Sequence, residues 1–238
     1  MITKVLLTLC CMALAVSCAT ARAAENAGKI KTLLFTGGQI HDGKGNGDVV
    51  QQALEAAGNF EVTRVQDDMA ALTPEKLKPY DLIVFFWTVG EITNEQKDAV
   101  LNAVASGKGF VGWHSAADSF RDSPDWKAFI GGHFITHPRY REYQVSVVDE
   151  SNAITKGMNE FMVRDEQYIL DYDPRVTVLC SALWKGKALP VSWTKEWGKG
   201  RIFYLALGHD PKACEQDVFQ KLLVRGSLWA ARREGEIK

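Results

Sequence analysis

The chain has 238 residues, with 28 basic against 29 acidic side chains and 46% hydrophobic residues. That is ordinary globular composition, and the length suffices to bury a core without staples. A formal charge of −1 and the lack of a polybasic run leave no footing for nucleic-acid or membrane-surface binding.

The first residues read as an export signal. Lys4 precedes an apolar run over residues 5–16, followed by small residues. A run of about 12 residues is too short to cross a bilayer as a helix. Two processing routes fit. Cleavage at Ala21-Arg22-Ala23 removes a signal peptide, residues 1–23, and leaves a periplasmic domain of residues 24–238. Alternatively, Ala15-Val16-Ser17-Cys18 resembles a lipobox, so that residues 1–17 are removed and Cys18 carries a lipid anchor. Either way no transmembrane helix is expected in the mature chain. Cys180 and Cys214 remain there, as one disulfide or as two buried thiols.

Residues 29–36 read as a buried strand, ended by Gly37-Gly38. Helical spacing over 48–57 stops at Gly58, and 60–65 alternates as a second strand. The continuous apolar run at 81–87 (DLIVFFW) suits a central parallel strand. Thr93 and Gln96 form a capping-box pattern that opens a helix to about Ser106, and 109–113 is the next strand. Strand and helix alternate with short connections, which predicts a doubly wound, mostly parallel α/β sheet with helices on both faces. Ligands of such sheets sit beyond the carboxyl ends of the strands. The second half is β-rich, with strands expected at 143–148, 167–171, 176–183, 189–193 and 201–206. Gly198-Lys199-Gly200 makes a tight turn, and 213–233 a closing helix. Neither a repeat nor a linker interrupts this single domain.

The chain has 5 histidines. His41, His114 and His209 each follow a predicted strand, and His133 and His137 flank a short loop. Strand ends converge on one edge, so these imidazoles are expected to share a site. Imidazole titrates near neutrality and is the commonest metal ligand, so the cluster suits proton transfer or a divalent, zinc-like ion. His114, His133, His137 and His209 are the candidate ligands. His114, Glu166 and His209 are the candidate catalytic groups. Asp42 and Asp118 stand beside or one turn after a histidine and can orient imidazoles or cap helices. Trp113 and Tyr168 offer aromatic faces, which suit the C–H face of a sugar ring. With His41, His133 and His137 they complete a candidate substrate site. There is no G-x-G-x-x-G, Walker loop, G-x-S-x-G or C-x-x-C spacing.

Four stretches resemble the ThuA-like (trehalose-utilisation) family. They are residues 86–93, residues 109–116, residues 132–138, and Gly198-Lys199-Gly200-Arg201 leading to Leu207-Gly208-His209. The resemblance spans roughly residues 30–232. It implies a flavodoxin-like core of the class I glutamine amidotransferase-like type. In amidotransferases a nucleophilic cysteine stands on the turn after a central strand. Here that turn carries His114, so thiol amidotransferase chemistry is not implied. The family resemblance implies disaccharide or 3-keto-glycoside catabolism, a small-molecule sugar as ligand and a sugar oxidoreductase as partner. A non-catalytic sugar-binding protein, or a structural partner of that oxidoreductase, is the alternative. One departure is Asn152-Ala153-Ile154-Thr155, where family members often read His-Pro-Ile-Thr.

Overall fold

The structure is a computed structural model that describes residues 28–238. The expected signal peptide, residues 1–23, and Cys18 lie outside the described residues. Ile30–Ile237 form one compact unit.

Five strands build the parallel core. They are β1 (Ile30–Gly38), β2 (Phe60–Gln66), β3 (Leu82–Thr88), β4 (Gly109–Trp113) and β11 (Gly200–Leu205), in the order β2-β1-β3-β4-β11. This is the flavodoxin strand order, in which the chain changes direction across the sheet between β1 and β3. All seven residues of β3 are buried, as its unbroken apolar run requires. Antiparallel strands extend the sheet beyond β11. They are β10 (Lys187–Trp197), β9 (Thr177–Trp184), β6 (Arg141–Val147) and the edge strand β7 (Phe161–Asp165). A separate two-stranded ribbon pairs β5 (Gly132–Thr136) with β8 (Ile169–Tyr172).

Helices cover the sheet on both faces. On one, α1 (Gly43–Ala57) and α6 (Asp217–Ala230) pack Val50, Leu54, Phe219 and Leu223 against Leu34, Val84, Phe86 and Trp113. On the other lie α2 (Pro74–Leu77), α3 (Asn94–Ala105) and α4 (Pro124–Ile130), whose Leu77, Val100, Val104, Trp126 and Phe129 meet Phe35, Ile83, Phe85 and Phe110. The capping box at Thr93 forms in full. The short helix α5 (Pro211–Cys214) precedes α6.

Several boundaries differ from expectation. α1 begins at Gly43 rather than Asp48, capped by Asp42. The closing helix is broken in two at residues 215–216. β5, expected as a loop, and β7, which the sequence did not suggest, are both strands. Asp165 is the last residue of β7. Cys180 and Cys214 are free and buried, so they form no disulfide. No helix among the described residues is long and apolar enough to cross a membrane.

Candidate functional site

Four side chains converge beyond the carboxyl ends of the parallel strands. His41 follows β1, His114 follows β4, Glu166 follows β7 and His209 follows β11. One donor atom from each lies within 4.8 Å of all the others. The imidazole centroids of His41 stand 4.9 Å from both His114 and His209. The group occupies the crevice at the β1/β3 direction change, where ligands of this fold bind.

The imidazoles of His41 and His114 are held from behind, and His209 is held through its backbone. His41 Nδ1 is 2.7 Å from the Thr88 hydroxyl at the end of β3. His114 Nδ1 is 2.8 Å from the Ala206 carbonyl oxygen. A carbonyl oxygen only accepts, so this nitrogen carries the proton and Nε2 faces the crevice. The Tyr204 hydroxyl donates to the His114 carbonyl at 2.8 Å, and the Tyr168 ring lies over the imidazole at 3.9 Å. Asp165, wholly buried, accepts from the N–H groups of Glu166, Gly208 and His209.

Glu166 is the electrostatic centre. Its carboxylate lies 3.5 Å from His114 Nε2, 3.0 Å from His209 Nδ1 and 3.4 Å from His137 Nδ1. Burial alone would raise its pKa, but the imidazoles of His114 and His209 outweigh that and hold it well below the usual carboxylate range. For His209, burial lowers the pKa but the Glu166, Asp165 and Asp210 carboxylates raise it above the ordinary value. Burial depresses His41 to about 3, reinforced by repulsion from the other two imidazoles. Although both nitrogens face Glu166, His114 Nε2 and His209 Nδ1 are buried without a properly directed hydrogen bond. A neutral His114 therefore turns a lone pair toward a carboxylate oxygen. A proton on Nε2, or a cation between the two groups, would relieve that repulsion.

The remaining candidates divide. His137 contacts Glu166 but stands outside the four-donor group and is exposed. Tyr168, Phe134 and His137 form an aromatic wall, with Tyr168 4.5 Å from Phe134 and 6.3 Å from His137. His133 lies outside the four-donor group, its Nδ1 3.9 Å from the exposed Asp171 carboxylate. Of the candidate ligands His114, His133, His137 and His209, the four-donor group that could hold a metal takes in His114 and His209, together with His41 and Glu166. Trp113 is fully buried and stacks on Phe86 at 4.7 Å, so it offers no face to a ligand. Asp42 is spent on capping α1, where it accepts from Gly45 N–H at 2.8 Å. Asp118 is buried and grips Arg121 through two hydrogen bonds.

Sequence reasoning missed Thr88, Asn46 and Tyr140. Asn46, buried on α1, donates to the carbonyls of Gly208 and His209. The Tyr140 ring stands 5.6 Å from His209. Thr88 had a signal, since it is the first polar residue after the apolar run at 81–87.

The family model described as trehalose utilisation, ThuA, matches residues 31–230. The chain belongs to the ThuA family. A ThuA-like protein from Parabacteroides merdae is 26% identical with a TM-score of 0.78, over 85% of this chain and 90% of its own. A ThuA-like protein from Bacteroides uniformis is 22% identical with a TM-score of 0.71, over 87% and 92%. A cytoplasmic protein from Salmonella typhimurium shares the fold at 15% identity and a TM-score of 0.61, over 88% and 100%. No curated protein matches the chain. Membership and fold agree with the flavodoxin-like order of the parallel strands.

Proposed function

We propose that this ThuA-family protein acts on a disaccharide or its 3-keto derivative, at a centre of His41, His114, Glu166 and His209 that holds a divalent metal. The observation that carries the reading is the meeting of three imidazoles and one carboxylate within 4.8 Å. The unpartnered nitrogens of His114 and His209 fit such an ion, as do nitrogen and oxygen donors together. When bound, the ion would act as a Lewis acid toward negative charge developing on a sugar oxygen.

The protein's own groups divide the remaining work. A 3-keto group acidifies the neighbouring C–H, and removing that proton starts elimination of the glycosidic substituent. Glu166, held strongly as the anion, is a weak base for that step. An imidazole suits it better, and His137 stands outside the donor group on the exposed side of Glu166. Phe134, partly exposed and backed by the buried Tyr168 ring, offers apolar surface to a sugar ring. The export segment supports action in the periplasm, with a sugar oxidoreductase as the supplier of the keto-sugar. N-terminal sequencing of protein from the native host checks export, and an intact Met1 refutes it.

The test of function incubates protein purified without chelators with trehalose, other glucosides and their 3-keto forms. Elemental analysis accompanies it. Release of free sugar with a stoichiometric first-row metal is expected. Absence of turnover together with no calorimetric binding of any of these sugars overturns the reading. Binding without turnover would leave a sugar-binding protein.

A further inference from the structure

We propose that Asp165 and Asn46 are positioning residues that grip the Gly208–His209 peptide from opposite sides and so hold His209 against Glu166. The inference rests on the reading of that centre, but its geometry does not depend on which sugar is handled.

Glu166 and His209 follow β7 and β11, which are separated in the sheet by β10, β9 and β6. No strand ladder sets their spacing. Asp165 bridges that gap. Its Oδ2 accepts from Gly208 N–H at 2.6 Å, and its Oδ1 from His209 N–H at 3.2 Å and Glu166 N–H at 2.8 Å. One carboxylate thereby fixes the backbone of two of the four donor residues. From the other side, Asn46 Nδ2 donates to the carbonyls of Gly208 and His209, each at 3.2 Å.

The surroundings favour a positioning role over simple packing. Both side chains are wholly buried. A buried carboxylate is costly unless N–H groups surround it, and a well-packed apolar residue would fill the volume more cheaply. Gly208 has φ +98° and no room for a Cβ, which would lie 2.5 Å from Phe219 Cε2 and 2.9 Å from Trp113 Cδ1. The turn that both residues hold is therefore a single, tightly specified conformation. Neither side chain reaches the crevice through its own donor atoms, so both act through the backbone. Outer groups of this kind commonly change metal affinity by ~10–100-fold when removed.

Asp165→Asn and Asn46→Ala are the test, in the full chain stripped of metal. Thermal melts first establish cooperative folding. Long-range ¹H–¹⁵N spectra of the imidazoles then report each histidine separately, and cobalt(II) titration followed by visible absorption reports the centre. The His209 ring signals are expected to move in both variants, while those of His41, anchored on Thr88, stay in place. Cobalt affinity should fall ~10–100-fold. If wild type binds no cobalt, the metal reading fails and the ring signals alone decide this proposal. Should Asp165→Asn fail to fold, Asn46→Ala carries the decision. Unmoved His209 signals in a folded variant overturn it, as would equal displacement of His41 and His209, which marks general loosening.

Discussion

His41 should make the metal-free protein lose stability between pH 7 and pH 5, and replacing it should remove that loss. Its ring is packed edge-on against His114 and His209, with Phe86 at 5.8 Å. Burial and the two neighbouring imidazoles bring its pKa from 6.5 to about 3. As pH falls below 6.5 the unfolded chain takes up a proton here and the folded chain does not until near 3. The unfolded state binds more protons across that window, so stability rises with pH through it and is lost on acidification. At pH 5 the unfolded histidine has gained about 1.5 pH units of protonation free energy, or ~2 kcal/mol at 1.36 kcal/mol per unit. Solvent reaches part of the ring, and discounting for that leaves ~1–2 kcal/mol. Glu166, with its pKa depressed, contributes stability above its unfolded value of 4.5 and loses it only below, outside the window. His209, with its pKa raised, contributes stability that is full below 6.5 and lost as pH rises through its folded value. That contribution has the opposite sign and is common to both proteins. Urea unfolding of wild type and His41→Gln at pH 7 and pH 5 isolates the difference. Wild type should lose ~1–2 kcal/mol more than the variant. Equal losses would refute the reasoning, because they would mean that His41 is protonated in the folded state as readily as in the unfolded.

Glu166→Gln removes the charge that faces three imidazoles, so cobalt(II) retention should fall sharply and any sugar turnover by ~10²–10⁴-fold; unchanged retention by dialysis and elemental analysis would exclude Glu166 from the centre. Gly208→Ala forces a Cβ to 2.5 Å from Phe219 at φ +98°, which should cost ~1–3 kcal/mol and lower the melting temperature by several degrees; a melt like wild type's would show that the turn relaxes freely.

The parallel core was legible because its strands are buried on both faces. β1, β3 and β4 read as apolar runs, and nothing competes with that signal. Gly43-Lys44-Gly45-Asn46-Gly47 lies ahead of the helix expected from residue 48, yet it forms the first turns of α1. The reason is tertiary. A Cβ on Gly43 would lie 2.8 Å from Gly37 Cα, and one on Gly47 would meet the Arg64 guanidinium at 2.4 Å. Close approach demanded glycine there, and the local helix propensity was overridden. β5 and β7 escaped notice because each is five residues long and only partly buried, too short for alternation to register. At the site, His41, His114 and His209 were readable from their places after strands. Trp113 misled because the sequence shows that it adjoins His114 but not that its side chain turns into the core. His133 misled because the distance between histidines in the chain says nothing of which side of the β5–β8 ribbon each one faces.

His114 joins the sequence pattern to the chemistry. The backbone leaves β4 with Trp113 at φ −126° and turns abruptly at His114, φ +41°. A residue with a Cβ is uncommon in that conformation, and it persists where the surroundings over-determine it. Here they do, through the Tyr204 hydroxyl on its carbonyl, the Ala206 carbonyl on its Nδ1 and the Tyr168 ring over its face. A sharp turn after a central strand is the same device that presents a nucleophile at the top of related sheets. Among the described residues both thiols are poor nucleophiles, since burial pushes Cys180 up to about 11 and Cys214 well above its usual range. The turn instead fixes the tautomer of an imidazole and aims Nε2 at a carboxylate 3.5 Å away. A strained backbone that serves a nucleophile must leave its side chain reachable, whereas this one is wholly buried. On the function proposed above, the turn would present a preset donor for a small cation, and substrate would approach over the more open His137, His209 and Tyr140 side of the group.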